Sequence, residues 1–276
     1  MRVEGLPEAR SHQAIDAAFE AIAAVHRLMS FHDPWSNLSR LNCEAAHDPV
    51  QVHPWTYRVL EEAQRFSYAS TGCFDVTVAA KLVEWEFLPP PVDAEEPATG
   101  SWRDIELLPG NRVFFQRPLW IDLSGIAKGF AVDRAMERLG EFGAAHAVVN
   151  AGGDIRVLGS GAERIRLATE SSAGAAPVLE LINGSAAGSS GALRQSLHCG
   201  RLCGPHVDGS SRTPAPPGRF VCVVAEDCMA ADALTKITMV KGDGSAELLR
   251  QFSASAYLHD PGGEWQLIGA RESGAA

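Results

Sequence analysis

Residues 121–133 read IDLSGIAKGFAVD: an apolar run ends on Asp122, the small-residue turn Ser124-Gly125 follows, and a helix is expected straight after it. Free N–H groups at such a helix start can meet a pyrophosphate, and carbonyls of the turn can face a cation. Asp122 could accept hydrogen bonds from a ribose or a heterocycle. Lys128, on the first helical turn, could neutralise phosphate or fix a ring edge. Taken alone, the segment is also what a strand-to-helix turn with a capping serine and a surface lysine would look like.

A second constellation lies in DCMAADALTKITMVKG, residues 227–242, where Asp232 and Lys236 stand four apart on one helical face. They form either an exposed i,i+4 ion pair or, with Asp232 as ligand, part of a site for Mg²⁺, a hard cation that takes one or two carboxylates plus phosphate oxygens. VVNAGGDIRVLG, residues 148–159, reads as strand, Gly-Gly turn and strand. It lacks the GxGxxG spacing and following helix of a dinucleotide fingerprint, so a Rossmann site is excluded. His198, Cys199, Cys203 and His206 fall close together in a glycine-rich loop, with spacing unlike the paired cysteines of structural zinc. His206 is read instead as a loop histidine suited to general-base work near neutral pH.

These residues need elements to position them. SHQAIDAAFEAIAAVHRLMS, residues 11–30, predicts an amphipathic helix behind a Ser11 cap, with Ile15, Phe19, Ile22, Val25 and Met29 inward. FHDPWSNLSRLN then reads as a polar loop. A second helix is expected from Pro54 to about Ser70, with Leu60, Ala63 and Phe66 inside and Gly72 as its stop. Residues 88–101, rich in proline and acid, read as an exposed loop. RVFF and LWIDL look like strands, GIAKGFAVDRAMERLGEFG like a helix ending near Gly140 to Gly143, and AHAVVN like a buried strand. DIRVLG and RIRLA continue as short strands, residues 184–218 as loops, and Phe220–Val224 as a strong strand. A helix capped by Asp227 should bury Ala230, Ala233, Leu234, Ile237 and Val240, and ASAYLHDPGGEWQLIGA should form a hairpin. Helices and strands mix without regular βαβ alternation, which points to the α+β class.

The chain has 276 residues and a formal net charge of −10, and only four of its 24 basic residues are lysines, with no basic stripe. Nucleic acid is therefore not an expected partner. An acidic protein that binds phosphate must use backbone N–H groups, helix starts or a metal ion. No run approaches the roughly eighteen apolar residues of a membrane span, and the N-terminus lacks the pattern of a secretory signal, so the chain is expected to be soluble and unexported as written. The six cysteines include no CxxC pair and are expected as free thiols.

Taken in order, MSFHDPWSNLSRLN, GCFDVTV, IDLSGIAKGFAVD, NAGGDIR, the Gly188-Ser189-Ser190-Gly191 turn, the His206–Asp208 loop and ADAL resemble the ApbE-like family of FAD:protein FMN transferases. The resemblance runs from about residue 14 to 268. It implies an α+β, two-lobed fold of mixed sheets and helices with FAD in a cleft between lobes. Residues 1–271 would form one domain of two intertwined lobes, and 272–276 a loose tail. It also implies Mg²⁺-dependent transfer of FMN from FAD to a threonine hydroxyl on an acceptor flavoprotein of a bacterial electron-transfer system, with release of AMP.

Carried over by motif, His32 takes a flavin-contacting position, and Cys73, Phe74 and Asp75 match the stretch that lines FAD. Asp122, Lys128 and Val207 count as further cofactor contacts. The Gly125 carbonyl and Asp232 would hold the metal, and His206, with Asp232, would serve catalysis. Family members are often exported and lipid-anchored; this chain shows neither signal, and the family's opening strand is missing from it. It departs from the family also in HVDGSSRTP, against HxxDPxTG, and in Lys236, which replaces a metal-binding threonine. Such a lysine could pair with Asp232 and displace the cation. A protein that holds FAD without transferring FMN, or one that slowly cleaves FAD to FMN and AMP, are the alternative readings.

Overall fold

The computed structural model describes residues 1–167 and 176–269, so the tail expected over 272–276 lies outside the described residues, as does Ala168 of RIRLA. In chain order the elements are β1 (Arg2–Glu4), α1 (Glu8–Met29), α2 (Asn37–Glu44), β2 (Val50–Gln51), α3 (Pro54–Ala69), α4 (Ala79–Glu84), β3 (Ile105–Leu108) and β4 (Arg112–Phe115). They continue with α5 (Ala127–Glu141), β5 (His146–Ala151), β6 (Asp154–Leu158), β7 (Glu163–Arg166), β8 (Val178–Leu181), β9 (Ser185–Ser190), β10 (Ser196–His198) and β11 (Arg201–Cys203). The last are β12 (Val207–Asp208), β13 (Thr213–Pro214), β14 (Phe220–Ala225), α6 (Cys228–Lys241), α7 (Ala246–Gln251), β15 (Ser255–His259) and β16 (Trp265–Ile268). Helices and antiparallel sheets make this an α+β protein. Among the described residues no helix is long and apolar enough to cross a membrane, and all six cysteines are free thiols.

Two units emerge, each discontinuous in sequence: the first takes Met1–Ile22, Lys128–Leu193 and Pro216–Ala276, the second Ala23–Ala127 and Arg194–Ala215. The first unit is built on a seven-stranded sheet in the order β1-β5-β6-β9-β14-β15-β16, with every neighbouring pair antiparallel. Side chains alternate between its faces. Ala147 and Val149 of β5 pack with Ala14 and Ala18 of α1 and with Val132, Ala135, Met136 and Leu139 of α5. On the opposite face Val157, Ala186 and Cys222 meet Leu179 and Leu181 of β8. Burying one such leucine contributes about 2 kcal/mol.

In the second unit, α3 starts as its sequence predicts. Pro54 is in the first turn, the His53 ring caps by accepting from the Trp55 N–H, and Val59, Leu60, Ala63 and Phe66 are buried. Its C-terminus closes on Gly72, whose N–H donates to the Ser67 carbonyl at 2.7 Å. Around it lie the three-stranded sheet β2-β4-β3 and the hairpins β10–β11 and β12–β13. Residues 88–101 contain no helix or strand and no buried residue, as expected of an exposed loop.

Several expectations need correction. α1 begins at Glu8, so Ser11 lies inside it rather than capping it. Val25 and Met29 are buried as expected, together with Ala14, Ala18 and Ala21, but Ile15 and Ile22 are only half-buried and Phe19 is 55% exposed. A short strand, β1, precedes α1 and pairs with β5. The supposed polar loop FHDPWSNLSRLN contains α2, capped by the Ser36 hydroxyl and burying Leu38, Leu41 and Asn42. LWIDL joins no sheet. The Asn42 side chain bonds both the N–H and the carbonyl of Ile121, and the Asp122 N–H donates to the Val76 carbonyl at 2.8 Å, so those backbone groups are satisfied outside a ladder. Residues 184–218, expected to be loop-rich, hold five short strands between their loops, and the Gly188–Gly191 turn is largely the end of β9, a central strand. α6 is buried nearly all round rather than along one stripe, with Ala230 and Val240 only half-buried.

Candidate functional site

In the first unit, four charged side chains converge from three elements: Lys128 on the first turn of α5, Asp154 at the start of β6, and Asp232 and Lys236 on α6. Lys128 Nζ donates to Asp154 Oδ2 at 2.8 Å and to Asp232 Oδ1 at 3.1 Å. Lys236 Nζ donates to the same Asp232 Oδ1 at 2.7 Å, and the Gly129 N–H reaches Asp232 Oδ2 at 3.2 Å. Both carboxylates are buried, and the Lys128 side chain is 51% exposed. The i,i+4 pair, one of the two readings of Asp232 and Lys236, does form, but it faces the interior instead of being exposed.

Gly129 makes the convergence possible. A Cβ there would lie 2.2 Å from the Cys228 carbonyl oxygen, so only glycine allows α5 to cross so near the start of α6. Asp133, one turn further along α5, accepts from the Cys228 and Met229 N–H groups at 2.9 Å each, and Asp227 caps the same helix start through the Ala230 N–H. These contacts fix where Asp232 stands.

The electrostatics follow from burial and neighbours. Burial and the Asp232 charge push Asp154 up to about 6, and among the described residues its Oδ1 has no hydrogen-bond partner. Burial would raise Asp232 too, but Lys236 and Lys128 hold it below the ordinary carboxylate value. Lys128 stays above the usual lysine value because Asp232 and Asp154 outweigh its desolvation. Burial draws Lys236 below that value against the pull of Asp232.

The second unit holds the other sequence-predicted residues. His32 sits exposed in a loop fastened by serines: Ser36 Oγ donates to the Ser30 carbonyl and Ser39 Oγ to the Asp33 carbonyl, both at 2.7 Å. Asp122 is buried, and desolvation raises its pKa although Ser124 donates to it through both N–H and hydroxyl; the charge of His32 acts on it in the opposite sense. Gly125 lies in the turn between Asp122 and α5.

Cys73, Phe74 and Asp75 are buried beside the loop that carries His206 and Val207. The Gly209 N–H donates to the Cys73 carbonyl at 2.9 Å, and a Cβ at Gly209 would meet Asp75 Cβ at 2.5 Å. Arg212 Nη2 donates to Asp75 Oδ2, Thr77 Oγ1 and the Gly100 carbonyl at 2.7 to 2.9 Å. Asp208 accepts from Ser210 and from the Ser211 hydroxyl, which shapes the β12–β13 turn. His206 and Val207 are both half-buried, and the His206 carbonyl accepts from the Ala215 N–H at 2.9 Å.

Sequence reasoning named Lys128, Asp232 and Lys236 but missed Asp154, Ser189 and Arg212 as partners. The last residue of the NAGGD stretch was the available sign of Asp154; nothing in a serine-rich run marks Ser189. A divalent cation does not fit here with Lys236 in place. Magnesium needs about six oxygens in octahedral array at roughly 2.0–2.1 Å, whereas Asp232 Oδ1 already accepts from two ammonium groups and Oδ2 from the Gly129 N–H.

The ApbE family profile matches residues 2–259. An FAD:protein FMN transferase of Vibrio cholerae is 32% identical over 235 residues, which cover 79% of this chain and 70% of that protein. One of Haemophilus influenzae is 27% identical over 272 residues, 90% of this chain and 78% of that protein. The crystal structure of the ApbE protein of Thermotoga maritima superposes with a TM-score of 0.80 at 26% identity, covering 92% of this chain and 88% of that one. The match of one family along nearly the whole sequence, together with relatives that are transferase enzymes and a shared fold, means that the chain belongs to the ApbE family.

Proposed function

We propose that this protein is an FAD:protein FMN transferase. The family match along nearly the whole chain carries this reading. The cluster around Lys128 supports it, because a half-exposed ammonium anchored by two buried carboxylates is suited to receive phosphate charge. In the proposed reaction a threonine hydroxyl of the acceptor attacks the FMN-side phosphorus of the FAD pyrophosphate. A P–O bond forms to threonine, the bridging P–O bond breaks, and AMP leaves with its electron pair. The threonine proton passes to His206 as general base.

His32, Cys73, Phe74, Asp122 and Val207 are the proposed cofactor contacts, with Asp122 accepting from ribose or heterocycle; Asp75, its carboxylate already engaged by Thr77, Trp102 and Arg212, is proposed to hold that lining in place. Their support is the motif match together with the packing of the Cys73–Asp75 segment against the loop of His206. The acceptor is proposed to be a flavoprotein of a bacterial electron-transfer system. Magnesium, implied by the resemblance at Asp232 and the Gly125 carbonyl, does not fit beside Lys236.

The test is to incubate the purified protein with FAD and an acceptor domain that carries the target threonine, then weigh the acceptor by mass spectrometry. Gain of one FMN through a phosphoester supports transfer. An unmodified acceptor beside intact, bound FAD would reduce the protein to a flavin binder, a second reading that the Lys236–Asp232 contact favours. FMN and AMP appearing without acceptor would mark an FAD-cleaving hydrolase.

A further inference from the structure

The ammonium of Lys236 does more than pair with the carboxylate four residues before it. Its Nζ lies 2.7 Å from Asp232 Oδ1, 2.9 Å from Ser189 Oγ, 2.9 Å from Thr235 Oγ1 and 3.4 Å from the Asp232 carbonyl oxygen. Two of these oxygens belong to side chains that are 0% exposed, Asp232 and Thr235, and the Lys236 side chain is itself 18% exposed. A long helical side chain leans back over the preceding turn, which brings Nζ to Asp232, and β9 then supplies Ser189 from the sheet. The two hydroxyls also bond each other at 2.8 Å, and Thr235 Oγ1 donates to the Asp232 carbonyl at 2.7 Å. The result is an oxygen-lined pocket with a cation at its centre.

Charge balance supports the same conclusion. In the free protein two carboxylates and two ammonium groups sum to zero in the cluster, so a divalent ion added without substrate would bring two positive charges that none of these four groups offsets. We propose that Lys236 is a built-in replacement for a divalent cation, so that this protein binds its pyrophosphate-bearing substrate without metal. The choice of substrate rests on the flavin-transferase reading above; the occupancy of the oxygen pocket by lysine does not.

Two titrations test it. The first follows FAD binding to the unmodified protein, by flavin fluorescence, in EDTA and in excess Mg²⁺; the second follows Mn²⁺ binding without flavin, by the loss of the free-ion paramagnetic resonance signal. We expect FAD affinity to differ less than twofold between EDTA and Mg²⁺, and no stoichiometric Mn²⁺ binding. Lys236→Met should lose at least tenfold in FAD affinity in both conditions. Lys236→Thr, which exchanges the ammonium for an oxygen, should bind one Mn²⁺ and recover FAD affinity with Mg²⁺.

Tenfold tightening of FAD by Mg²⁺ in the unmodified protein, or one Mn²⁺ bound to it, overturns the proposal. So does a Lys236→Thr protein that is folded by circular dichroism yet takes up no Mn²⁺. If the variants do not fold, the unmodified protein alone decides. If it binds no FAD, the flavin reading fails, while the Mn²⁺ titration still reports on the lysine.

Discussion

Two buried ionic networks, one in each unit, use similar parts to opposite ends. In the second unit Asp75 accepts from the Thr77 N–H and hydroxyl through Oδ1 and from Arg212 and the Trp102 N–H through Oδ2, while Arg212 Nη2 also reaches Thr77 and Gly100. The Asp75 carboxylate is saturated by its own chain, and the network clamps together 75–77, 100–102 and 212, although Arg212 Nη1 and Trp102 Nε1 within it are buried without a hydrogen-bond partner among the described residues. In the first unit Asp154 keeps an unpartnered oxygen, and the partner of its other oxygen, Lys128, is half exposed. Saturation marks a group that holds structure. An unmatched buried carboxylate oxygen beside a half-exposed ammonium leaves room for a ligand contact, which is the role proposed for the first-unit cluster.

Removing Arg212 should give the largest change in stability. Arg212→Met leaves Asp75 buried without its cation, and breaking such a pair costs about 3–5 kcal/mol. Urea unfolding should show it as a large fall in midpoint. A midpoint shift no bigger than that of an exposed charge variant would end the distinction between clamp and cluster.

Gly129→Ala should come next. The added Cβ meets backbone of Cys228 and Met229 at 2.2 to 2.8 Å, and overpacking of this kind costs roughly 1–3 kcal/mol. Because the same crossing fixes Asp232, FAD affinity should fall along with stability. Retained affinity in a destabilised variant would mean that the helix crossing does not set the cluster.

Lys128→Met sharpens the contrast further. Lys236 still compensates Asp232, so the stability cost should be about 2 kcal/mol, below that of Arg212→Met. FAD affinity should nevertheless drop at least tenfold. The opposite ranking, a large loss of stability with binding intact, would make Lys128 part of the scaffold.

How far the sequence foretold these networks depends on where each partner comes from. α3 and α6 were legible because Pro54, the Asp227 cap and their apolar residues are local signals. β14 was legible from its run of β-branched residues. β9 was not: SAAGSS has no large apolar residue, since α6 packs against it and Ser189 is needed for its hydroxyl, so its composition imitates a turn. LWIDL misled in the other direction, because its apolar residues suggest a ladder while its backbone partners are Asn42 and Val76, remote in sequence. At the site, Asp232 and Lys236 are four apart and could be paired by eye. Asp154 and Arg212 could not, since the charges they answer lie far along the chain.

The effects of pH should have opposite signs at carboxylates of the two units. Burial and the neighbouring Asp232 charge raise Asp154 to about 6 from the ordinary aspartate value of 3.8. Its contribution to stability is therefore fully present below the unfolded value and lost as pH rises from about 4 to about 6. Asp208 differs: burial would raise it, but the hydrogen bonds from Ser210 and Ser211 prevail and lower its pKa. Its contribution is present above the unfolded value and lost as pH falls through the folded one. Asp154→Asn should thus remove a downward slope of stability with rising pH between about 4 and 6, whereas Asp208→Asn should flatten the acid limb below about 4. Unfolding measured across both windows separates them. If both variants altered the same window, the unmatched oxygen of Asp154 would carry no special electrostatic load, and the cluster would have to be regarded as a second clamp.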